Sequence, residues 1–196
     1  MIAVAQRHIP SGPVEFRITT FEDFESPESA LDLIVSATAF HWVDPRIGWA
    51  KSARLLRSGG WLALLSTGEK YDEPVGPKLF ELYVRNTAGS VAWAEKPSEE
   101  EAARQEQSRD ICERWSGKPC PEQGLFGPAE SMRHSSRRNM PADSVVDLEF
   151  TRATSLSWDV SKRDAFIGDL REILQASTSG VGLTQVADLV MAPRLF

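Results

Sequence analysis

The sequence predicts an α/β fold built around parallel β-strands. Residues 31–35 and 61–65 are two short, almost continuous apolar runs, which are typical of parallel strands covered by helices on both faces. Between them Asp44 is followed by Pro45, a pair that favours the start of a helix. A strand, a helix and a second strand in so short a stretch indicate a βαβ unit.

The composition and net charge of the chain limit the kinds of partner that it is expected to bind. Hydrophobic residues make up 41% and charged residues 26% of the 196 positions, as in an ordinary globular protein, and one domain over residues 1–196 is expected. The formal net charge of -6 opposes association with nucleic acid or with anionic membranes. No apolar run is long enough for a signal sequence or a membrane span. We therefore expect a soluble, cytoplasmic protein.

The two cysteines predict neither a metal site nor a disulfide scaffold. Cys112 and Cys120 are the only ones in the sequence, and no histidine stands at ligand spacing from them. A zinc site needs more ligands and a disulfide scaffold needs more pairs. We expect neither here, and no metal site elsewhere.

The N-terminal residues predict a helix and then a strand. Ile2, Ala5 and Ile9 share one helical face. After a break, three apolar residues alternate with polar ones, which predicts an outer strand of the sheet over residues 14–18.

The central helix has a clear start and an expected end. Trp49, Ala53 and Leu56 form an apolar stripe after Asp44. Gly59 and Gly60 follow, and such glycines favour the left-handed turn that ends a helix. The helix is therefore expected to run up to this pair.

The remainder alternates helices and strands. Ser98 and Glu101 have the spacing of a capping box that opens a helix towards Trp115; because this helix has few apolar residues, it is either a lid or a plain surface helix. Glycines and prolines predict loops over residues 116–130. The further expected elements are a helix after Pro77, a strand over 132–136, helices over 143–153 and 161–176, and a last strand over 186–192.

Four segments in this order resemble the class I S-adenosylmethionine-dependent methyltransferases, of the "methyltransferase domain 11" type. The resemblance rests on Phe21-Glu22-Asp23, Asp32-Leu33-Ile34-Val35-Ser36, Phe40-His41-Trp42-Val43-Asp44-Pro45 and Arg54-Leu55-Leu56-Arg57-Ser58-Gly59-Gly60-Trp61-Leu62. It implies a Rossmann-like class I methyltransferase sheet with helical cover and a C-terminal antiparallel hairpin. It also implies that residues 70–130 are a helical and loop insertion that covers the acceptor site.

The resemblance further implies that the first two strands of the sheet are missing. The family's glycine-rich cofactor loop and the acidic residue after its second strand have no counterpart here. The only Gly-x-Gly, at Gly180 and Gly182, follows a helix instead of a strand. We expect the strand at residues 31–35 either to pair directly with the outer strand or to expose an edge that pairs with another chain. In either case the affinity for the cofactor should fall severely.

The cofactor site is expected in two loops that follow strands, because ligands of open α/β sheets bind at the carboxyl ends of the strands. By resemblance, Thr20, Phe21 and Glu22 would meet the adenine of S-adenosyl-L-methionine. The alternative is that Phe21 is a core residue and Glu22 is solvated. Ser36, Ala37 and Thr38 would lie beside the methionine end, where short side chains allow a close approach.

His41 is the candidate catalytic residue. An imidazole near the acceptor could take its proton at neutral pH. Alternatively, His41 fixes its loop by hydrogen bonds while Trp42 packs beneath the loop. His8 and His134 are expected at the surface.

Two functions follow from the resemblance. The first is a methyltransferase that uses S-adenosyl-L-methionine on a small-molecule acceptor, with the activity of the truncated form left open. The second is a non-catalytic methyltransferase-like fragment that acts as an interaction module. The acceptor atom and the oligomeric state stay open.

Overall fold

The computed structural model describes residues 2–9, 12–87, 98–175, 177 and 179–196. Part of the expected insertion, residues 88–97, lies outside them. The described helices and strands are α1 (Ile2–His8), β1 (Leu31–Ala37), a 3-10 turn (Phe40–Trp42), α2 (Pro45–Leu55), β2 (Leu56–Tyr71), α3 (Val75–Asn86), α4 (Glu99–Gln107), α5 (Ile111–Ser116), β3 (Glu130–Met140), α6 (Ala142–Phe150), α7 (Ala153–Leu156), α8 (Val160–Leu174) and β4 (Val181–Pro193).

The strands form one four-stranded sheet in the order β1-β2-β4-β3. β1 and β2 are parallel and are joined through α2, which confirms the βαβ unit. β4 is antiparallel to both β2 and β3, and α6 and α8 intervene between β3 and β4. The α/β fold with a C-terminal antiparallel pair is therefore confirmed.

The start of α2 agrees with the prediction, and its end does not. Asp44 accepts a hydrogen bond from the backbone N–H of Arg46 at 2.9 Å, and Pro45 is the first helical residue. The helix ends at Leu55 and β2 begins at once, so the glycine pair lies in β2. There Gly59 has a φ of +72°, and a Cβ on Gly60 would lie 3.0 Å from the carbonyl oxygen of Asp32. The pair makes an irregularity in the β1–β2 register instead of a helix stop.

The outer strand predicted over residues 14–18 is wrong. Residues 14–20 have no regular structure, and Ile18 is 91% exposed. Alternating residues form a strand only where a neighbouring backbone supplies hydrogen bonds. Among the described residues β1 pairs only with β2, so residues 14–18 do not pair with β1. Leu33 and Val35 of β1 are 51% and 56% exposed.

Two apolar clusters pack on the sheet. One joins α2 and α5 to the first half of β2 around Trp49, Leu62 and Leu64. The other joins α3, α6 and α8 to the opposite half of β2 around Leu82 and Leu170. Because β2 and β4 pass through both clusters, these two strands connect them.

The segment after residue 98 contains two short helices instead of one. Ser98 and Glu101 form the expected capping box, and no residue of α4 is buried, so α4 is a surface helix.

The expectation that the two cysteines do not form a disulfide is wrong, because Cys112 and Cys120 are bonded to each other. His8 and His134 are exposed, as expected. No described helix is both long and apolar enough to cross a membrane.

Candidate functional site

The exit of β1 lies beside the middle of β2. Ala37 pairs with Leu65, and the N–H of Thr38 donates to the carbonyl oxygen of Leu65 at 2.8 Å. Thr38 then turns with a φ of +51°, a conformation that side chains with a Cβ adopt at a cost and that is often found at functional sites. Beyond this point β2 continues to Tyr71 without β1 at its side. The carboxyl edge of the sheet is therefore open here.

The loop of residues 20–23 reaches the same edge. Glu22 accepts a hydrogen bond through Oε1 from the N–H of Asp44 at 2.8 Å, and its carbonyl oxygen accepts one from Lys51 Nζ at 2.7 Å. The rings of Phe21 and Phe40 are 6.4 Å apart. The loop of residues 20–23 thus contacts α2 and the segment that leads from β1 into it.

The polar groups of this loop are already engaged. Thr20 Oγ1 donates to Asp23 Oδ2 at 2.7 Å and accepts from the N–H of Asp23 at 3.1 Å. Phe21 is half-buried, with Lys51 Nζ 5.8 Å from its ring centre. Phe21 and Glu22 therefore hold the loop against α2, which agrees in part with the alternative that Phe21 is a packing residue.

The residues expected beside the methionine end of the cofactor lie at the exit of β1. Ser36 is half-buried and Ala37 and Thr38 are exposed, and their short side chains leave the backbone at the strand exit accessible. The loop of residues 20–22 supplies a second surface next to it. Ser36, Ala37 and Thr38 do not line any of the three cavities described in the structure.

His41 lies exposed on the 3-10 turn. Its described contact is the ring of Trp42, with the ring centres 4.9 Å apart. No hydrogen bond of the His41 side chain is described within residues 12–87, so a loop-fixing role has no support there. Trp42 is 78% exposed and does not pack beneath the loop. His41 is left open to a ligand at this edge.

A large cavity lies further along the same edge. Its volume is about 1050 Å³, the size of a small-molecule site. It lies between the end of β2, α3 and the end of α6, and its lining includes Glu69, Tyr71, Phe80, Tyr83, Glu149 and Arg152. None of these residues was expected at a site from the sequence. The available signal was Glu149, a charged residue four positions after Val145 on the apolar face of a helix.

Glu149 is the centre of a buried hydrogen-bond network. Its carboxylate accepts from Tyr71 Oη at 2.9 Å, from Tyr83 Oη at 2.5 Å and from Arg152 Nε at 2.7 Å. Arg152 also donates to Glu69, which accepts a further bond from Gln185 Nε2 at 3.0 Å. Every described partner of the buried charge is therefore a donor, as a buried carboxylate requires.

The network shifts the pKa values of its members. Burial, followed by the negative charge of Glu149, raises the pKa of Tyr71 and of Tyr83 above the ordinary tyrosine value. Burial alone would lower the pKa of Arg152, but its hydrogen bonds and charge interactions with Glu149 and Glu69 outweigh this and raise it. At neutral pH both tyrosines therefore stay protonated and donate hydrogen bonds to the carboxylate, and the guanidinium stays charged.

Comparison with known proteins agrees with this architecture. Residues 1–64 match the family described as a methyltransferase domain. This part of the chain is therefore similar to a methyltransferase domain. A methyltransferase-named protein of Dictyostelium discoideum is 38% identical to it over 55 residues, which are 28% of this chain and 21% of that protein. The chain therefore matches about a fifth of the length of this curated relative.

The fold of the chain is similar to that of solved structures. One solved structure, from Anaeromyxobacter dehalogenans, is described as a type II methyltransferase. It superposes on this chain with a TM-score of 0.52 at 18% identity, and the match covers 94% of this chain and 74% of that one. The YcgJ protein from Bacillus subtilis covers 99% of this chain and 76% of its own, with a TM-score of 0.49 at 15% identity. The superposition on the Anaeromyxobacter dehalogenans structure confirms the Rossmann-like sheet expected from the resemblance.

Proposed function

We propose that this chain is a methyltransferase that transfers a methyl group from S-adenosyl-L-methionine to a small-molecule acceptor. The observation that carries the proposal is that the loop of residues 20–23 and the exit of β1 lie at one carboxyl edge of the sheet. There Glu22 accepts a hydrogen bond from the N–H of Asp44, and the N–H of Thr38 donates one to the backbone of β2. Ligands of open α/β sheets bind at this edge. The match of residues 1–64 to the methyltransferase domain family supports the same reaction.

Each residue has a defined task in this proposal. S-adenosyl-L-methionine supplies the reactive methyl group when it is bound. Ser36, Ala37 and Thr38 border its methionine part through backbone and short side chains, and the loop of residues 20–22 borders the adenine. His41 is exposed on the same edge, where an imidazole can accept a proton from the acceptor at either ring nitrogen. The helices after residue 70 cover the acceptor, since α3 lines the large cavity.

The interaction-module hypothesis has one observation in its favour. β1 has no strand on its outer side among the described residues, and Leu33 and Val35 on its open face are half-exposed. A free strand edge with apolar neighbours favours pairing with another chain.

A cytoplasmic location is part of the proposal. The Cys112–Cys120 disulfide argues against this location, because disulfides are rare in the cytoplasm.

Binding of S-adenosylhomocysteine distinguishes the two functions. We expect a titration of the isotope-labelled chain, followed by amide NMR, to give saturable shifts confined to residues 20–22 and 36–38. Ala37→Leu should weaken the binding, because its side chain fills the approach to the strand exit. Val35→Leu, on the same face but away from the exit, is the matched control and should bind as the parent does.

His41→Gln should retain this binding, since its proposed task concerns the acceptor. If no amide responds at millimolar ligand while the chain associates through β1, the interaction module is the better description. Shifts that appear instead around the large cavity would also contradict the proposed cofactor wall.

A further inference from the structure

We propose that the large cavity at the end of β2 binds a small organic cation, an amine that carries an apolar group. That this amine is the methyl acceptor rests on the proposed function, whereas the binding itself does not. The proposal follows from the charge balance of the cavity, the aromatic rings in its wall and its position on the sheet.

The charge balance of the cavity is negative. Glu69 and Glu149 share a single guanidinium, that of Arg152, so two negative charges face one positive charge and one is left over. Lys70 also lines the cavity and offsets one negative charge, and Asp72, a further lining residue, is paired with Arg137. Glu73, exposed at the rim, adds a further negative charge. The cavity therefore attracts cations more than anions.

Arg152 is poorly placed to bind an anion. Its Nε donates to Glu149 and its terminal nitrogen donates to Glu69, and only 36% of its side chain is exposed. An incoming carboxylate or phosphate would have to displace one of these partners. If it displaced Glu149, that carboxylate would lose its charged partner while fully buried, which is strongly unfavourable.

Aromatic rings also line the cavity. Tyr71 and Tyr83 line it from the strand and from α3, and Phe80 contributes a ring that is 44% exposed. Ammonium groups are attracted to the faces of aromatic rings. Leu79 and Leu148 complete an apolar part of the wall. Acidic and aromatic groups together favour an amine with an attached hydrocarbon.

The position of the cavity connects it to the proposed reaction. The cavity is lined by residues 67–71 of β2, the part that extends beyond the end of β1 at Ala37. The cofactor wall at residues 36–38 and the cavity thus lie on the same edge of the sheet. A ligand in the cavity would meet that edge without crossing the sheet.

Three probes of similar size and different charge test the proposal on the full chain without cofactor. Benzylamine, benzyl alcohol and benzoate are titrated by calorimetry and by amide NMR. We expect benzylamine to bind about tenfold more tightly than benzyl alcohol, because charge and cation–π terms add to the apolar contact. We expect benzoate to bind most weakly. Equal affinities for all three, or tighter binding of benzoate, would overturn the proposal.

Variants locate the binding. Glu69→Gln should reduce the affinity for benzylamine about tenfold and leave that for benzyl alcohol unchanged, because it removes one charge and keeps the shape. Glu130→Gln removes an exposed charge at the start of β3, outside the cavity, and should have no effect. Phe80→Leu should weaken benzylamine more than benzyl alcohol. Circular dichroism of each variant checks the fold.

The two proposals can fail separately. Benzylamine binding without S-adenosylhomocysteine binding would leave the cation site in place and remove the methyl transfer. S-adenosylhomocysteine binding without selectivity for benzylamine would overturn the cation site alone.

Discussion

Glu149 shows how one buried charge organises its surroundings. Its side chain is 1% exposed, and the cost of removing a carboxylate from water is offset only when donors surround it. Tyr71, Tyr83 and Arg152 supply these donors from β2, α3 and the end of α6. A single residue therefore connects three elements that are distant in the sequence.

The raised tyrosine pKa values predict a loss of stability at high pH. In the unfolded chain Tyr71 and Tyr83 should ionise near the ordinary value of 10.0, whereas the folded protein keeps them protonated to higher pH. The unfolded state then binds fewer protons, so the free energy of unfolding falls as pH rises above about 10. Urea unfolding between neutral pH and pH 11 measures this slope.

Tyr83→Phe should reduce the slope at the cost of a hydrogen bond to Glu149. Its stability at neutral pH should therefore be lower by about 1–3 kcal/mol. A slope that stays unchanged in this variant would show that Tyr83 does not cause the pH dependence.

Thr38 is a second residue whose conformation has a measurable consequence. Its φ of +51° costs a residue with a Cβ about 1–2 kcal/mol, while glycine loses about 0.4–1 kcal/mol through the entropy of the unfolded chain. Thr38→Gly should therefore raise the free energy of unfolding by up to about 1 kcal/mol. Ser36→Gly, within β1, should lower it by roughly 0.5–1 kcal/mol. Equal effects of both substitutions in denaturant unfolding would exclude the strain.

At the scale of elements, β1 is asymmetric. Leu31 and Ile34 pack against the cluster around Leu62 and Leu64, whereas Leu33 and Val35 are half-exposed. In the sequence all four look alike, because a continuous apolar run predicts a strand that is covered on both faces. The structure leaves one face of this strand open.

This asymmetry predicts different responses to substitution. Leu33→Thr and Val35→Thr should change the free energy of unfolding by less than about 1 kcal/mol, since little apolar surface is returned to water. Leu64→Ala, at a fully buried position of the neighbouring strand, should cost about 2–5 kcal/mol. Chemical denaturation of the three variants makes the comparison. A loss above this range at Leu33 or Val35 would mean that this face is covered in solution.

The strand boundaries show the limit of local pattern. Residues 61–65 predict the centre of β2, but the strand extends from Leu56 to Tyr71. Its last part, Ser66–Tyr71, is polar and gives no strand signal, and it is held extended by pairing with β4 from Asp188 to Leu183. Tertiary pairing therefore decides the length of β2, and with it the position of Glu69 and Tyr71 in the cavity.

At the scale of the whole molecule, two apolar clusters share one pair of long strands. β2 and β4 each contribute to both clusters, so loss of either cluster should disturb the strands that support the other. The Cys112–Cys120 disulfide fastens α5 and the following loop to the cluster around Trp49. This side of the molecule therefore carries a covalent constraint.

Removal of the disulfide should weaken the whole fold. Closing a loop between cysteines eight positions apart restricts the unfolded chain by about 2.5 kcal/mol. Cys120→Ser, at the less buried partner, should lower the free energy of unfolding by about this amount. The parent protein in excess dithiothreitol should match the variant. Equal stability of the oxidised parent and Cys120→Ser would show that the bond contributes nothing.

The sequence by itself determined the βαβ unit, because this unit depends on hydrophobic runs, a helix cap and the chain order. The resemblance to the methyltransferases added the antiparallel pairing of the C-terminal strands. Only the tertiary structure decided that residues 14–20 form no strand, that Gly59 and Gly60 lie within β2, and that the cysteines pair. It alone also assembled the Glu149 network. Each of these depends on which backbone or donor lies opposite in space, and the spacing of residues along the chain does not specify that neighbour.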